Sequence, residues 1–289
     1  MPSAALAEYL VERKSLVESA LGERLPPEHV EPRNVHAAMR YAVLGGGKRL
    51  RPLIALAVAD IGGLEPGQML DAACAIEFVH TASLILDDLP AMDNSDTRRD
   101  QPATHRKFDE ATAILASLAL LSEAYALAAR NAAEFLESEG VAAVVDTLAA
   151  MVGTSGLILG QHTDLTLERE AHTLERLRDI HLKKAGALFF AAISVPAQIA
   201  RLSREQITDL EQYASLVGVA FQITDDIIDA HHLHSDGEQK VTFATIAGEE
   251  RAREIVLQMV SKACMALDRF GERGAPLRAL AEYVASRTL

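Results

Sequence analysis

The sequence predicts an all-α protein, and three observations support this fold class. Apolar residues recur at helical spacing in nearly every window of the chain. No sustained alternation of the strand kind interrupts that pattern. Alanine and leucine dominate a composition that is poor in aromatic residues and lacks tryptophan, so helix propensity is high along almost the whole length.

Clusters of Gly, Pro, Asp and Ser residues predict where the helices end. They divide the chain into about ten or more helices with short links. No change in composition, flexible linker or internal repeat divides the sequence, so we predict a single domain over residues 1–289. The clusters are LGERLPPEHVEP, IGGLEPGQ, PAMDNSDTRRDQPA, LESEGV, HHLHSDGEQ and RFGERGAP.

Charge and cysteine content exclude several classes of protein. The formal net charge of −13 argues against nucleic acid as a partner, because phosphate backbones are bound by clusters of Lys and Arg. Cys74 and Cys264 form no CxxC pair, which predicts reduced packing residues in a cytoplasmic protein. The acidic, amphipathic start is unlike a signal peptide, and no uncharged apolar run is long enough to predict a membrane span.

The segment ASLILDDLPAMD, residues 82–93, places three aspartates at the end of an apolar run. Pro90 should end the helix just after Asp88 and let Asp93 turn back toward Asp87. Carboxylates in apolar surroundings either take up a proton or acquire a cation. Three of them in one small volume indicate a metal site.

A second apolar helix, LVGVAFQITDDIIDAH, ends in the acids Asp225, Asp226 and Asp229. Asp225 and Asp229 share one helix face, where like charges are unfavourable unless they bind something. If the two acid clusters face each other, they form a cage for Mg²⁺, which takes one or two carboxylates and fills its shell with water and phosphate oxygens. A single cluster of this kind would more simply be solvated surface charge.

A basic segment could bind the phosphate. Residues 45–52, GGGKRLRP, form a glycine turn that leads through Lys48, Arg49 and Arg51 into an apolar helix. The segment is not a P-loop, because GxxxxGK[ST] is absent.

Three further basic residues lie near the first acid cluster in the sequence. Arg98 and Arg99 follow that cluster, and His80 precedes Asp87 by seven residues on the same helix face. Taken singly, His80 would be an interior histidine and the arginines surface charge. Because these residues and the acids are expected to point toward the same region, we expect them to share a site.

Six motifs occur in order: GGGKRLRP, HTASLILDDLPAMD with RR following, GQHTDL, KAGAL, FQITDDIID and KVTF. With them, residues 40–248 resemble the trans-isoprenyl diphosphate synthases, and bacterial geranylgeranyl diphosphate synthases most closely. The resemblance implies a helical bundle around a deep central cavity. It also implies a homodimeric prenyltransferase with about three Mg²⁺ ions per site.

The activity implied by the resemblance is head-to-tail 1'-4 condensation of isopentenyl diphosphate with dimethylallyl, geranyl or farnesyl diphosphate. The allylic C–O bond ionises, and cations stabilise the charge that develops on the leaving diphosphate. The isopentenyl double bond attacks, and its proton leaves with the departing diphosphate, so no protein base is required. The expected product is geranylgeranyl diphosphate (C20), with farnesyl diphosphate (C15) as the alternative.

The resemblance implies a role for each site residue. The isopentenyl diphosphate site would contain Lys48, Arg51, His80 and Arg99. The metal ligands would be Asp87, Asp88, Asp93, Asp225, Asp226 and Asp229. The allylic site would be completed by Arg98, Lys184 and Lys240, with Gln222 and Asp164 nearby. The catalytic set would be Asp87, Asp88, Asp93, Lys184, Gln222 and Asp225.

Small residues one turn before Asp87 bear on product length. Ala82 and Ser83 would wall the cavity beneath Asp87, where relatives that stop at C15 carry an aromatic ring. Small walls favour growth to C20, with Leu118 or Leu121 as the floor. Alternatively, Ala82 and Ser83 are small because two helices pack there.

Three features depart from the family pattern. The loop after the second acid cluster is short and offers only Lys240, so one expected cation is missing. Ala185 stands where the family has threonine, which removes a hydroxyl near the reacting carbon. The histidine-rich segment HHLH, residues 231–234, is more simply a polar loop than a transition-metal site.

Three other functions stay open on the sequence alone. A class I terpene cyclase also uses acids and Mg²⁺, but it needs no isopentenyl site such as GGGKRLRP. A noncatalytic subunit of a heteromeric synthase should have lost acids, and both clusters are intact. A helical scaffold with incidental Mg²⁺ would have no affinity for diphosphate.

Overall fold

The computed structural model describes residues 4–167, 171, 173–229 and 241–287. These residues form 14 α-helices and one two-stranded antiparallel hairpin, so the predicted all-α class is confirmed. The helices are α1 (Ala4–Arg24), α2 (Arg33–Leu44), α3 (Leu50–Ile61), α4 (Leu70–Asp87), α5 (Thr104–Lys107), α6 (Glu110–Ala133), α7 (Ser138–Val152), α8 (Leu157–Thr166), α9 (Leu174–His181), α10 (Ala187–Ile199), α11 (Arg204–Asp229), α12 (Phe243–Ala247), α13 (Glu249–Met265) and α14 (Ala275–Ser286). The strands are β1 (Thr97–Arg98) and β2 (Gln101–Pro102).

The N-terminal unit comprises the described residues of Ser3–Asp146 together with Gln198–Ala200. At its centre, all but one of the residues of α3 are buried, and α4 packs on α6. The approach of α4 to α6 is close enough for the hydroxyl of Ser117 to donate a hydrogen bond to the backbone carbonyl of Ala82 at 3.0 Å. This packing fixes the C-terminal end of α4, where the first acid cluster begins.

The C-terminal unit comprises the described residues of Thr147–Ala197 and Arg201–Leu289. Two glycines bring α8 and α11 against a π-helical turn, Leu182–Gly186. A Cβ on Gly160 would lie 2.2 Å from the backbone nitrogen of Lys184, and a Cβ on Gly218 would lie 2.9 Å from the Cα of Gly186. Only glycine fits at such distances. The predicted single domain stays a prediction.

Four helical stretches are long and apolar enough to cross a membrane by length and composition alone. Two of them, Pro66–Asp87 and Leu174–Ile199, are mostly buried inside the protein. The other two, Glu110–Ala133 and Ser138–Thr166, are less buried. The absence of a membrane span therefore stays a prediction.

The two cysteines have the packing role that was predicted for them. Cys74 is buried in α4, Cys264 is partly buried in α13, and both are free thiols. Lys240 and the histidine-rich segment 231–234 lie outside the described residues, so the predictions made for them are unchanged.

Candidate active site

The first acid cluster has the backbone shape that Pro90 predicts. Helix α4 ends at Asp87 with Asp88 as its C-cap, and the chain then folds back on the helix end. The N–H of Asp93 donates to the carbonyl of Asp87 at 2.8 Å, and the N–H of Ser95 donates to that of Asp88 at 3.2 Å. The predicted return of Asp93 toward Asp87 is therefore confirmed at the level of the backbone.

Within this cluster, Asp88 is anchored by protein. Its side chain is only 3% exposed and forms an ion pair with Arg98, whose Nε donates to Oδ1 at 3.1 Å and whose Nη2 makes a second, shorter contact. The sequence assigned Asp88 to a metal ion and Arg98 to a diphosphate, but in this structure they bind each other. In this structure the carboxylate of Asp88 holds Arg98, while Asp87 and Asp93 are the more exposed acids of the cluster; the metal role of Asp88 stays a prediction.

The predicted isopentenyl site is a cluster of cations around His80 in the N-terminal unit. Arg51 donates from Nη1 to Nε2 of His80 over 3.4 Å, and Arg99 donates from Nη1 to the carbonyl of Gly46. Since a guanidinium has no acceptor, Nε2 of His80 must accept, and the ring carries its proton on Nδ1. Lys48 lies in the segment between Gly46 and the start of α3, the helix that contains Arg51. The structure therefore brings Arg51, His80 and Arg99 together, and Lys48 stays a predicted member of the site.

The electrostatics of this cluster favour an anion. Loss of hydration lowers the pKa of His80 well below 6.5, and the positive charges of Arg51 and Arg99 lower it further. Burial also lowers the pKa of Arg99, with a further contribution from Arg49. Cations that depress one another's pKa in this way are stabilised by a negatively charged ligand. His80 is therefore a neutral hydrogen-bond donor among permanent cations at neutral pH.

Arg49 does not belong to the anion site, although the sequence grouped it with Lys48 and Arg51. Its side chain is fully buried and donates to Glu77 at 2.7 Å, to Glu18 at 2.9 Å and to the carbonyl of Val43 at 2.6 Å. A buried charge must be paired in this way to be tolerated. Arg49 thus anchors the turn from inside. The signal for it in the sequence was Glu77, a lone charge in the apolar stretch ACAIEFVH.

Two non-glycine residues at the tip of the hairpin have left-handed backbones. Arg99 and Asp100 connect β1 to β2 with φ of 54° and 61°, the conformation that two-residue hairpin loops require and that Asn-Gly adopts with least strain. Strained backbone of this kind concentrates at functional sites. The chain keeps a cation at Arg99 despite that strain, which agrees with a binding role for this side chain.

The second acid cluster, at the end of α11, also contains a buried aspartate that is bound by protein groups. Asp226 is buried and accepts a hydrogen bond from the backbone N–H of Phe243 at 3.1 Å, with His181 at 3.5 Å and Gln222 at 3.5 Å from its carboxylate. In this structure the carboxylate of Asp226 anchors the start of α12, and its metal role stays a prediction. The predicted catalytic residue Gln222 is close to it, and His181 was missed because nothing local in the sequence marks it.

Asp225 binds a residue that the sequence did not suggest. Nη2 of Arg287, just beyond α14, donates to Oδ1 of Asp225 at 2.5 Å. The guanidinium also lies over the ring of Phe221, 4.8 Å from its centroid. Helix α11 ends at Asp229, whose metal role stays a prediction.

Lys184 lies in the π-helical turn and pairs with Asp164 on α8 through a 2.7 Å contact. These two residues were predicted to lie near each other, and the structure brings them together. Turns of π-helix occur often at functional sites, where they redirect a side chain. Ala185 is buried in the same turn, and its effect on activity stays a prediction.

The residues predicted to set product length have different surroundings. Ala82 is fully buried against α6, and the hydroxyl of Ser83 donates to the carbonyl of His80 at 2.8 Å. Leu118, predicted as a floor, is 56% exposed, so the chain does not enclose it. Its assignment as a floor stays a prediction. Leu121 is partly buried and stays a candidate floor.

The donor set suits Mg²⁺. Among the residues that the structure describes, no three His, Cys, Asp or Glu side chains converge into a preformed metal cluster. Mg²⁺ needs no such cage, since it binds through one or two carboxylates and takes its other oxygens from water and phosphate. The backbone hydrogen bond from Asp93 to Asp87 brings two acidic residues to the same end of α4, which fits this requirement.

Replacing His80 with Gln should reduce the loss of stability in mild acid. The folded-state pKa of His80 lies below its ordinary value of 6.5, so below pH 6.5 the unfolded chain takes up a proton that the folded site resists. The stability of the wild type should therefore fall as the pH decreases through that window. Thermal unfolding at pH 7.5 and 5.5 should show a smaller decrease for His80→Gln. Equal decreases would contradict the neutral state assigned to His80.

Comparisons with known proteins agree on one family. The sequence model of the family described as Polyprenyl synthetase matches residues 32–249. The putative geranylgeranyl pyrophosphate synthase 8, chloroplastic, of Arabidopsis thaliana is 39% identical over 96% of this chain and 81% of the relative. A geranyltransferase structure from Legionella pneumophila matches with a TM-score of 0.90 and 32% identity over 98% of both chains. An FPP/GFPP synthase structure from Zymomonas mobilis matches with a TM-score of 0.87 and 32% identity, over 97% of this chain and 99% of that chain.

Proposed function

Because the chain belongs to the polyprenyl synthetase family, we propose that it is a prenyltransferase that elongates allylic diphosphates with isopentenyl diphosphate. The relatives named geranylgeranyl pyrophosphate synthases are similar over almost the full chain, which favours a C20 product. Farnesyl diphosphate is the alternative product, since a similar structure is titled as an FPP/GFPP synthase.

The observation that supports this function most strongly is the pair of sites on α4. The helix carries His80, with the cations Arg51 and Arg99 around it, and ends in Asp87 seven residues later. A cation cluster next to an acid cluster offers separate sites for two diphosphates. A terpene cyclase ionises one diphosphate and has no use for the first of these sites.

The residues divide the chemistry between them. Lys48, Arg51, Arg99 and neutral His80 bind the diphosphate of isopentenyl diphosphate through charge-assisted hydrogen bonds. As predicted from the sequence, we assign the first acid cluster to Mg²⁺ and the allylic diphosphate, and the acids of the second cluster, Asp225 among them, to Mg²⁺. Mg²⁺, when bound, would neutralise charge on the leaving diphosphate. Held by Asp88, the guanidinium of Arg98 is a preorganised cation for that developing charge.

Product analysis tests the function directly. Purified protein is incubated with Mg²⁺, labelled isopentenyl diphosphate and, in separate tubes, dimethylallyl, geranyl or farnesyl diphosphate, and chain length is read by chromatography. We expect C20 product from all three primers. Cyclic hydrocarbon from an allylic diphosphate alone would indicate a cyclase. Folded protein that binds diphosphate but elongates nothing would indicate a noncatalytic subunit.

Replacing Ser83 with Phe should shorten the product. The side chain of Ser83 is small and lies one turn before Asp87, so an aromatic ring there would obstruct a growing chain. The main product is expected to change from C20 to C15, with initial rates on dimethylallyl diphosphate retained. Ser15→Phe, on an exposed position of α1, is the control and should leave the product unchanged. C20 product from Ser83→Phe would show that the channel does not pass this residue.

We propose that the active form is a cytoplasmic homodimer, and α6 offers a surface for it. Ile114, Leu115 and Leu118 are large apolar residues exposed on this helix. Such residues clustered on one helix favour an interface with a second copy. Light scattering should give twice the 31.2 kDa of one chain. Leu118→Glu should shift the protein toward monomer, and an unchanged dimer would exclude this surface.

A further inference from the structure

Arg287 is bound to Asp225, an acid that the proposed function assigns to Mg²⁺. Its Nη2 lies 2.5 Å from Oδ1 of Asp225, and its side chain is only 12% exposed. The contact joins residues 62 positions apart and links the end of α14 to α11. An arginine that buries its charge against one carboxylate is held there and is not a solvated surface group.

The aromatic ring beneath the guanidinium also holds Arg287 in place. Phe221 precedes Asp225 by four residues and so lies on the same face of α11. Arg287 lies 4.8 Å from the centroid of that ring, and Phe221 is itself packed against Phe189 with 5.5 Å between ring centroids. Arg287 is therefore fixed by a carboxylate at its tip and by a ring along its face, and both contacts favour a cation.

A cation held on Asp225 opposes the binding of another cation there. Mg²⁺ coordinates carboxylate oxygens at about 2.0–2.1 Å, and a guanidinium hydrogen-bonded to the same oxygen repels it. Asp226 does not share this conflict, because it is buried and bound to the N–H of Phe243. Of these two neighbouring acids, the competition therefore concerns Asp225.

We propose that Arg287 is an internal counter-ion that competes with divalent metal for Asp225 and neutralises this acid until metal binds. The proposal rests on the proposed function, in which Asp225 is a metal ligand. It gives the C-terminal end of the chain a role in metal affinity. Arg287 is a positioning residue by this account, since it acts through Asp225 and needs no contact with substrate.

Metal titration without substrate tests the proposal. Mn²⁺ is titrated into the full-length protein, and free metal is measured by electron paramagnetic resonance. Arg287→Met is expected to tighten the weakest class of sites about five-fold, the strength of a partly exposed ion pair. Phe221→Leu keeps every charge but removes the ring under Arg287, so it should tighten the same class by a smaller factor.

Two further variants complete the design. Asp225→Asn should abolish that class of site and so identify it. Arg269→Met is the matched control, because Arg269 pairs with Asp209 on the same helix α11 through a 2.6 Å contact. That variant should leave the affinity unchanged, and thermal unfolding should show that all four variants fold.

The possible results distinguish competition by Arg287 from the metal role of Asp225 and from the proposed prenyl transfer. Unchanged or weaker Mn²⁺ binding by Arg287→Met, with binding lost in Asp225→Asn, would overturn the competition and leave the metal role of Asp225 intact. Unchanged binding by Asp225→Asn would overturn both, since Arg287 would then have no metal to exclude. The proposed prenyl transfer itself is judged separately, by product analysis of the wild type.

Discussion

Asp87→Asn should lower kcat/KM for chain elongation by at least about 100-fold, the scale at which a preorganised electrostatic contact is lost. The substitution keeps the shape of the side chain and removes its charge. The backbone carbonyl of Asp87 still accepts from Asp93, so the turn after α4 should persist. Initial rates with geranyl and isopentenyl diphosphates measure the effect.

A nearby aspartate provides the control for this prediction. Asp96 lies three residues beyond Asp93, is exposed and pairs with Arg106 at 2.7 Å. Asp96→Asn should retain near wild-type activity, since a surface ion pair contributes little. The thermal midpoints of both variants should stay close to that of the wild type. If the activity of Asp87→Asn stayed within about three-fold of the wild type, Asp87 would have no important role in the reaction.

Gly160→Ala should destabilise the protein by about 3 kcal/mol, the upper range for overpacking a core. The added methyl group would lie 2.2 Å from the nitrogen of Lys184 and 2.6 Å from the carbonyl carbon of Lys183. Both atoms are backbone, so the π-helical turn as a whole would have to move. Displacement of Lys184 should also lower kcat. Urea unfolding and initial rates measure the two effects.

The matched control is a glycine with open space around it. Gly22 lies in α1, and a Cβ there would meet nothing within 4 Å. Gly22→Ala should therefore stabilise the protein by roughly 0.5–1 kcal/mol, the difference in helix propensity. If Gly160→Ala unfolds at the same urea concentration as the wild type, the close approach of α8 to the π-helical turn is absent in solution.

Local patterns in the sequence were sufficient for the fold class and for the shape of the first acid cluster. Pro90 acts on its immediate neighbours, so the end of α4 and the return of Asp93 could be predicted from a short segment. The segment GGGKRLRP likewise indicated the region where Arg51 meets His80. What each side chain binds was harder to predict, because the partner is distant in the sequence.

The contacts that the sequence did not predict share that cause. Asp88 and Asp226 looked equivalent to Asp87 and Asp225, but each is buried and held by a group from another segment of its unit. Arg287 lies 62 residues from Asp225, and no periodicity connects the two. Leu118 has the spacing of an interior residue, but which apolar face of a helix is covered depends on its packing partners.

The location of His80 and Asp87 on one unbroken helix has a mechanical consequence. A helix rises about 1.5 Å per residue, so seven residues set these two side chains about 10 Å apart along its axis. Since α4 is stiff, the helix fixes the distance between the proposed site for isopentenyl diphosphate and the proposed site for the allylic diphosphate. Inserting one residue between them would turn one site about 100° from the other, so point substitutions should be tolerated along this stretch far better than insertions.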